Sequence, residues 1–200
     1  MYNTKTSREV LEKVAEKLIA NGMNAIVVSN SVEAKEKVLS MIDKDVEVMN
    51  MTSITLDTIG VPQALKDGGY NVIRDIFAKP ETETKRKREL GAAPDVSVTS
   101  VSAVTENGEL LIASNTGSQL PAAAYGSAKA IFVIGAQKVV PDIQEGIKRI
   151  YEYVLPLESE RANKAYNITA GSSVNKLLIV NKEVQKGRVE IILVDESLGF

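Results

Sequence analysis

Apolar residues recur every three or four positions in the first segment of the chain, where Val10, Leu11, Val14 and Leu18 share one face of a predicted helix. Thr6 and Glu9 stand at capping-box spacing ahead of it, and Gly22 closes it. The pattern then changes to a short apolar run of strand length, Asn24 to Ser29. Asn30 and Glu33 repeat the capping spacing before a second helix with Val38, Leu39 and Ile42 on its buried side. Val46 to Met51 predicts the next strand, and Ser53 caps a helix toward Ile59. Val61 to Gly69 reads as a short helix ended by a glycine pair, while Asn71 to Phe77 fits strand and helix equally. Alternation of this kind predicts an α/β layer on parallel strands.

From Gly91 onward, small polar turns alternate with tight apolar strands, over Val96 to Val101, Glu109 to Ala113 and Ile131 to Ile134. A helix follows Pro141 and runs to about Val154, with Ile143, Ile147 and Ile150 spaced three and four apart. Leu177 to Val180 and Val189 to Val194 are separated by a Lys-Gly turn, which predicts an antiparallel pair. The expected fold is α/β: a three-layer, Rossmann-like open sheet, mostly parallel, with an antiparallel C-terminal hairpin, in a single domain over residues 1–200.

Composition narrows the chemistry. The formal net charge of -2 argues against a general nucleic-acid binder. The run Lys85, Arg86, Lys87 and Arg88 is interleaved with Glu81, Glu83 and Glu89 and reads as a solvated helix face. With no Cys and no His, the chain alone builds no disulfide, Ser-His-Asp triad, Cys/His zinc site or Cys-ligated iron–sulfur cluster. Nothing in the pattern calls for a metal, and the pattern leaves the cofactor open. The N-terminal run is charged and periodic, and no apolar run reaches membrane-spanning length, so the expected location is the cytoplasm, with no membrane partner.

Three places can carry chemistry. Glu106-Asn107-Gly108 lies between two apolar runs, and Asn-Gly predicts a type I′ hairpin turn with a carboxylate at its shoulder. The second is Ser114-Asn115-Thr116-Gly117-Ser118-Gln119, a small hydroxyl-rich loop before an Ala-rich helix, with Ser118 as its cap. Such a loop suits a phosphate or carboxylate, and it serves equally as a plain strand-to-helix connection. The third is a set of cations: Lys138 after a strand's carboxyl end, Arg161, and Lys176 beside Asn175 in a second Gly-Ser loop. Tyr125 and Tyr166 could stack on a ring, but such residues are more often half-buried core.

The segments AAPDVSVTSVSAVTENGELLIASNTGSQLPAAAYGSAKAIFVIGAQKVVP, YVLPLESERA, SSVNKLLIVNKE and GRVEIILVDESLGF resemble the LUD family, the lactate-utilisation domain, in its stand-alone branch. The resemblance implies the α/β superfamily of sugar-phosphate isomerases, glucosamine-phosphate deaminases and coenzyme A transferases. It also implies a metabolic role, since relatives act in L-lactate oxidation beside an iron–sulfur partner. This cysteine-free chain would not be the cluster-bearing component. Glu106-Asn107-Gly108 is also similar to the S-E-N-G signature of coenzyme A transferases, with Thr105 in place of Ser. That similarity implies Glu106 as a nucleophile carrying coenzyme A as a thioester, with Asn107 and Gly108 shaping the turn.

Three functions remain open. The first is a protein binding an anionic small molecule that bears phosphate, a nucleotide or coenzyme A. The second is an acyl- or coenzyme A-transfer enzyme with Glu106 as the nucleophile. The third is a non-catalytic partner subunit of a redox complex, which a stable, ligand-binding homo-oligomer would argue against; the expected protein partner is thus either a second copy of the chain or an iron–sulfur redox protein. The mechanistic readings expect the Glu106 bend and the loop from Ser114 to meet in one hollow.

Overall fold

The apolar runs build two sheets. In the computed structural model, which describes residues 2–200, the chain runs α1 (Arg8–Ala20), β1 (Asn24–Val28), α2 (Ser31–Ser40), β2 (Glu47–Asn50), α3 (Ile54–Ile59), α4 (Val61–Asp67), β3 (Asn71–Val72), α5 (Ile73–Phe77) and α6 (Thr84–Ala92). It continues through β4 (Val96–Thr99), β5 (Ala103–Thr105), β6 (Leu110–Ser114), a π turn at Ala122–Gly126, β7 (Lys129–Gly135) and β8 (Val139–Val140). It ends with α7 (Ile143–Arg149), a π turn at Ile150–Val154, α8 (Leu155–Tyr166), β9 (Lys176–Val180) and β10 (Val189–Val194).

The capping residues act as their types dictate. Asn30 accepts the Val32 and Glu33 N–H groups, and Ser53 accepts that of Leu56. Ser7, one residue beyond Thr6, caps α1. Asn71 to Phe77 is both of its alternatives in turn, a two-residue strand and then a helix.

The main sheet has six parallel strands in the order β1-β10-β7-β4-β2-β3. Its side chains alternate between faces. Ile131 and Val133 face a core with α2, α3 and α4, while Phe132 and Ile134 face one with α1. Full burial of such side chains contributes about 1.5–3 kcal/mol each.

The second sheet, β8-β5-β6-β9, is mixed. It presents Val104, Leu110 and Ile112 to the core it shares with α1, and packs Ala103 and Leu111 against Ile143, Ile147 and Ile150 beyond. This sheet adds a layer to the three expected. It also replaces the expected C-terminal hairpin, because β9 pairs antiparallel with β6 while β10 inserts between β1 and β7. Residues 181–188 thus carry the chain from one sheet to the other. Among the described residues no helix is long and apolar enough to cross a membrane. Tyr125 and Tyr166, expected half-buried, are 79% and 62% exposed. The basic run of α6 is largely solvated, with Lys85 and Arg86 near Glu89.

The β5–β6 connection is a correction to the predicted type I′ turn. Only Gly108 has positive φ (+86°), the Gly108 N–H donates to the Thr105 carbonyl, and that of Thr105 donates to Glu109. This is the three-residue hairpin with a glycine bulge. A Cβ on Gly108 would come within 3.0 Å of the Leu18 nitrogen and 2.9 Å of Asn21 Nδ2. Gly108→Ala is therefore expected to lower stability by about 1–3 kcal/mol, seen as a reduced urea midpoint at unchanged slope.

Candidate functional site

Parallel strands end together, so the loops beyond β2, β4 and β7 converge where ligands of open α/β sheets collect. Here they form the floor of a cleft of about 330 Å³. Thr52, Ser53 and Thr55 follow β2, Ser100 and Ser102 follow β4, and Lys138 follows β7. The end of β6 and its loop make one wall. The other comes from Ile150, Val154, Leu155, Glu158, Arg161 and Tyr166, with Ile168 and Gly171 to Val174 beyond.

Lys138 is the centre of this arrangement. It is 2% exposed, and its Nζ donates to Thr55 Oγ1 at 2.9 Å, Ser100 Oγ at 3.0 Å and the Val101 carbonyl at 3.1 Å. All three acceptors are neutral, and among the described residues no carboxylate pairs with it. Burial pushes the ammonium down to about 7, and the charge of Arg149 pushes the same way. Arg149 is itself fully buried: it donates to the Ser102 carbonyl and lies 5.2 Å from the Tyr153 ring centre, and its Nε and Nη2 have no protein partner. Burial lowers this guanidinium too, to about 10, so it stays charged at neutral pH. Two buried cations thus stand at and behind the cleft floor, and among the described residues neither has a carboxylate partner.

Arg161 lies across the cleft, held bidentate by Glu158 with both contacts at 2.7 Å and set 5.8 Å from the Tyr166 ring centre. The Glu158 hydrogen bonds hold it above its ordinary range. Its charge is answered within the protein, whereas that of Lys138 is not.

The Ser114 loop lines the cleft through Ser114, Asn115, Thr116, Ser118 and Gln119, but much of it is bonded to itself. Ser114 Oγ accepts the Gly117 N–H and donates to Gln119 Oε1, and Thr116 Oγ1 accepts the Ser118 N–H. Ser118 does not cap a helix, which begins at Leu120. Gly117, Asn175 and Lys176 stand behind the loop: the Lys176 side chain lies over Gly117, and the Asn175 amide holds Asn115 at 2.8 Å. These three support the wall and do not line the cleft.

Glu106, Asn107 and Gly108 sit at the far end of the β5–β6 hairpin. β6 separates them from Ser114 by five residues, about 17 Å at ~3.4 Å each. There Asn21 Nδ2 donates to the Asn107 and Gly108 carbonyls, so the bend packs on the end of α1. The expected shared hollow of Glu106 and the Ser114 loop does not form. The floor residues Thr55, Ser100 and Ser102 were not singled out in the sequence; the hydroxyl-rich segments after two apolar strands, MTSIT and VTSVS, were the available signal. Among the described residues no group of three or more acidic side chains is placed to hold a metal.

A model of the LUD domain matches residues 11–194. Among solved structures, the chain is similar to a DUF162 family protein from Deinococcus radiodurans at 16% identity and a TM-score of 0.59, covering 94% of this chain and 99% of that one. Likeness at that identity shows the fold alone. Ribose 5 phosphate isomerase A from Neisseria gonorrhoeae overlaps at 12% identity and a TM-score of 0.35, over 70% of this chain and 57% of that one. No curated protein matches the chain.

Proposed function

The chain belongs to the LUD domain family, and from that premise we propose that its cleft binds an anionic small molecule as part of a metabolic role. The observation that carries this reading is Lys138: a buried cation at the cleft floor with neutral partners only. Keeping such a charge unpaired is costly, and an anion in the cleft would offset it. The Arg149 charge behind it adds to the same pull. The hydroxyls of Ser100 and Ser102 suit oxyanions, and Ile150, Val154 and Leu155 offer an apolar wall. At about 330 Å³ the cleft suits a phosphate or carboxylate on a small body, so a nucleotide or coenzyme A would seat only its anionic end.

Thermal shift with inorganic phosphate, sugar phosphates, nucleotides and coenzyme A tests this. A ligand at a hundred times its Kd adds about 2.7 kcal/mol and raises Tm by several degrees. Silence across the panel, confirmed by calorimetric titration, would end the reading. Glu106→Gln is expected to leave any such shift unchanged, because its bend lies outside the cleft. A Glu106→Gln variant that lost the shift would instead favour transfer chemistry through Glu106.

A further inference from the structure

Lys138 has the surroundings of a nucleophile as well as of a counter-ion. Here Nζ meets two hydroxyls and a carbonyl. Of these partners only Ser100 is partly open, and both Ser100 and Lys138 line the cleft. We propose that Lys138 condenses with the carbonyl group of an anionic aldehyde or ketone bound in this cleft, forming an imine. The inference rests on the anion-binding reading of the same site and adds the reacting group of the ligand.

The amine nitrogen adds to the carbonyl carbon, and the carbonyl π electrons pass to oxygen. Ser100, 3.0 Å from Nζ and partly open to the cleft, relays a proton from nitrogen to that oxygen. Loss of the resulting hydroxyl with the second nitrogen proton releases one water and leaves a C=N bond. No oxidant or reductant takes part. Burial keeps a large share of the amine neutral near pH 7, as nucleophilic attack requires.

Pyridoxal 5′-phosphate is the test probe, since it joins an aldehyde to a phosphate. The full chain is incubated with it near neutral pH, reduced with borohydride and mapped by peptide mass. The expected result is one phosphopyridoxyl group on Lys138 in preference to exposed lysines such as Lys85 and Lys164. Inorganic phosphate should suppress it, and its rate should rise through pH about 7. Labelling of the exposed lysines with Lys138 unmodified would overturn the proposal. A phosphate thermal shift on the same sample separates the two readings: a shift without Lys138 labelling removes the imine and keeps the anion site. The wild-type peptide map decides the matter without any variant.

Discussion

Replacing Lys138 by methionine is expected to change how stability responds to pH. In the folded protein the ammonium is pushed down to about 7, whereas the unfolded chain holds its proton to about 10.4. Between these values the unfolded state binds one more proton, so wild-type stability should rise with pH, approaching about 1.4 kcal/mol per unit. Below pH about 7 both states are protonated and the burial penalty is present in full. Methionine fills much of the same volume and removes the penalty. The variant should therefore be the more stable protein at pH 6. At pH 10 it should be the less stable one, having lost three hydrogen bonds worth about 1–3 kcal/mol in total. Urea midpoints across that range would show the two curves crossing, and a flat wild-type curve would refute the buried charge. Anion affinity should fall in the variant by roughly ten- to a hundredfold, the worth of a charge-assisted bond. In the wild type that affinity should weaken as pH rises above about 7, and in Lys138→Met this dependence should vanish.

Glu183→Gln should cost about 3–5 kcal/mol, because it strands a buried guanidinium. The Glu183 and Arg188 side chains are 8% and 4% exposed, and Arg188 Nε donates to Glu183 Oε2 at 2.7 Å. Arg188 also donates to the Ala123 and Ala124 carbonyls at 3.2 Å, while Glu183 accepts the Gln185 N–H at 2.7 Å. Burial alone would raise the Glu183 carboxyl, but the Gln185 N–H and the Arg188 charge outweigh it and hold it below its ordinary value. The pair's contribution is thus complete above pH about 4.5 and is lost as pH falls through the depressed folded value. The pair pins the segment that carries the chain from β9 to β10. Adding Arg188→Met to Glu183→Gln should restore much of the loss, and strict additivity in that cycle would show that the two residues act separately.

Strands were legible where the apolar run was bounded by caps. β1, β2 and β7 start within two residues of their predicted positions because Asn30, Ser53 and the flanking turns punctuate them. Pairing was less visible. β9 and β10 are neighbours in the chain and read as a hairpin, yet β10 is apolar at five of six positions, VEIILV. That run suits a strand covered on both faces of a parallel sheet. Asn-Gly announced a bend correctly, but turn residues carry no information about what the bend packs on, and Glu106 therefore pointed to the wrong end of the hairpin. Lys138 was visible from the carboxyl-end rule. Its want of a counter-charge was not, because Thr55, Ser100 and Arg149 come from distant segments and meet only in the folded chain.

The helical run from Ile143 to Tyr166 has one further consequence for the cleft. Its wide turn at Ile150–Val154 accommodates one residue more than an α-helical turn would. In a regular α-helix one added residue swings everything downstream by about 100° around the axis, and the wide turn absorbs that rotation. Deleting a single position there would close the turn to α-helical form and leave Arg149, Glu158 and Arg161 on the faces they now hold. The helical wall of the cleft can therefore lose this residue without re-aiming its side chains, whereas a deletion between Leu155 and Glu158 would rotate Glu158 and Arg161 away from it.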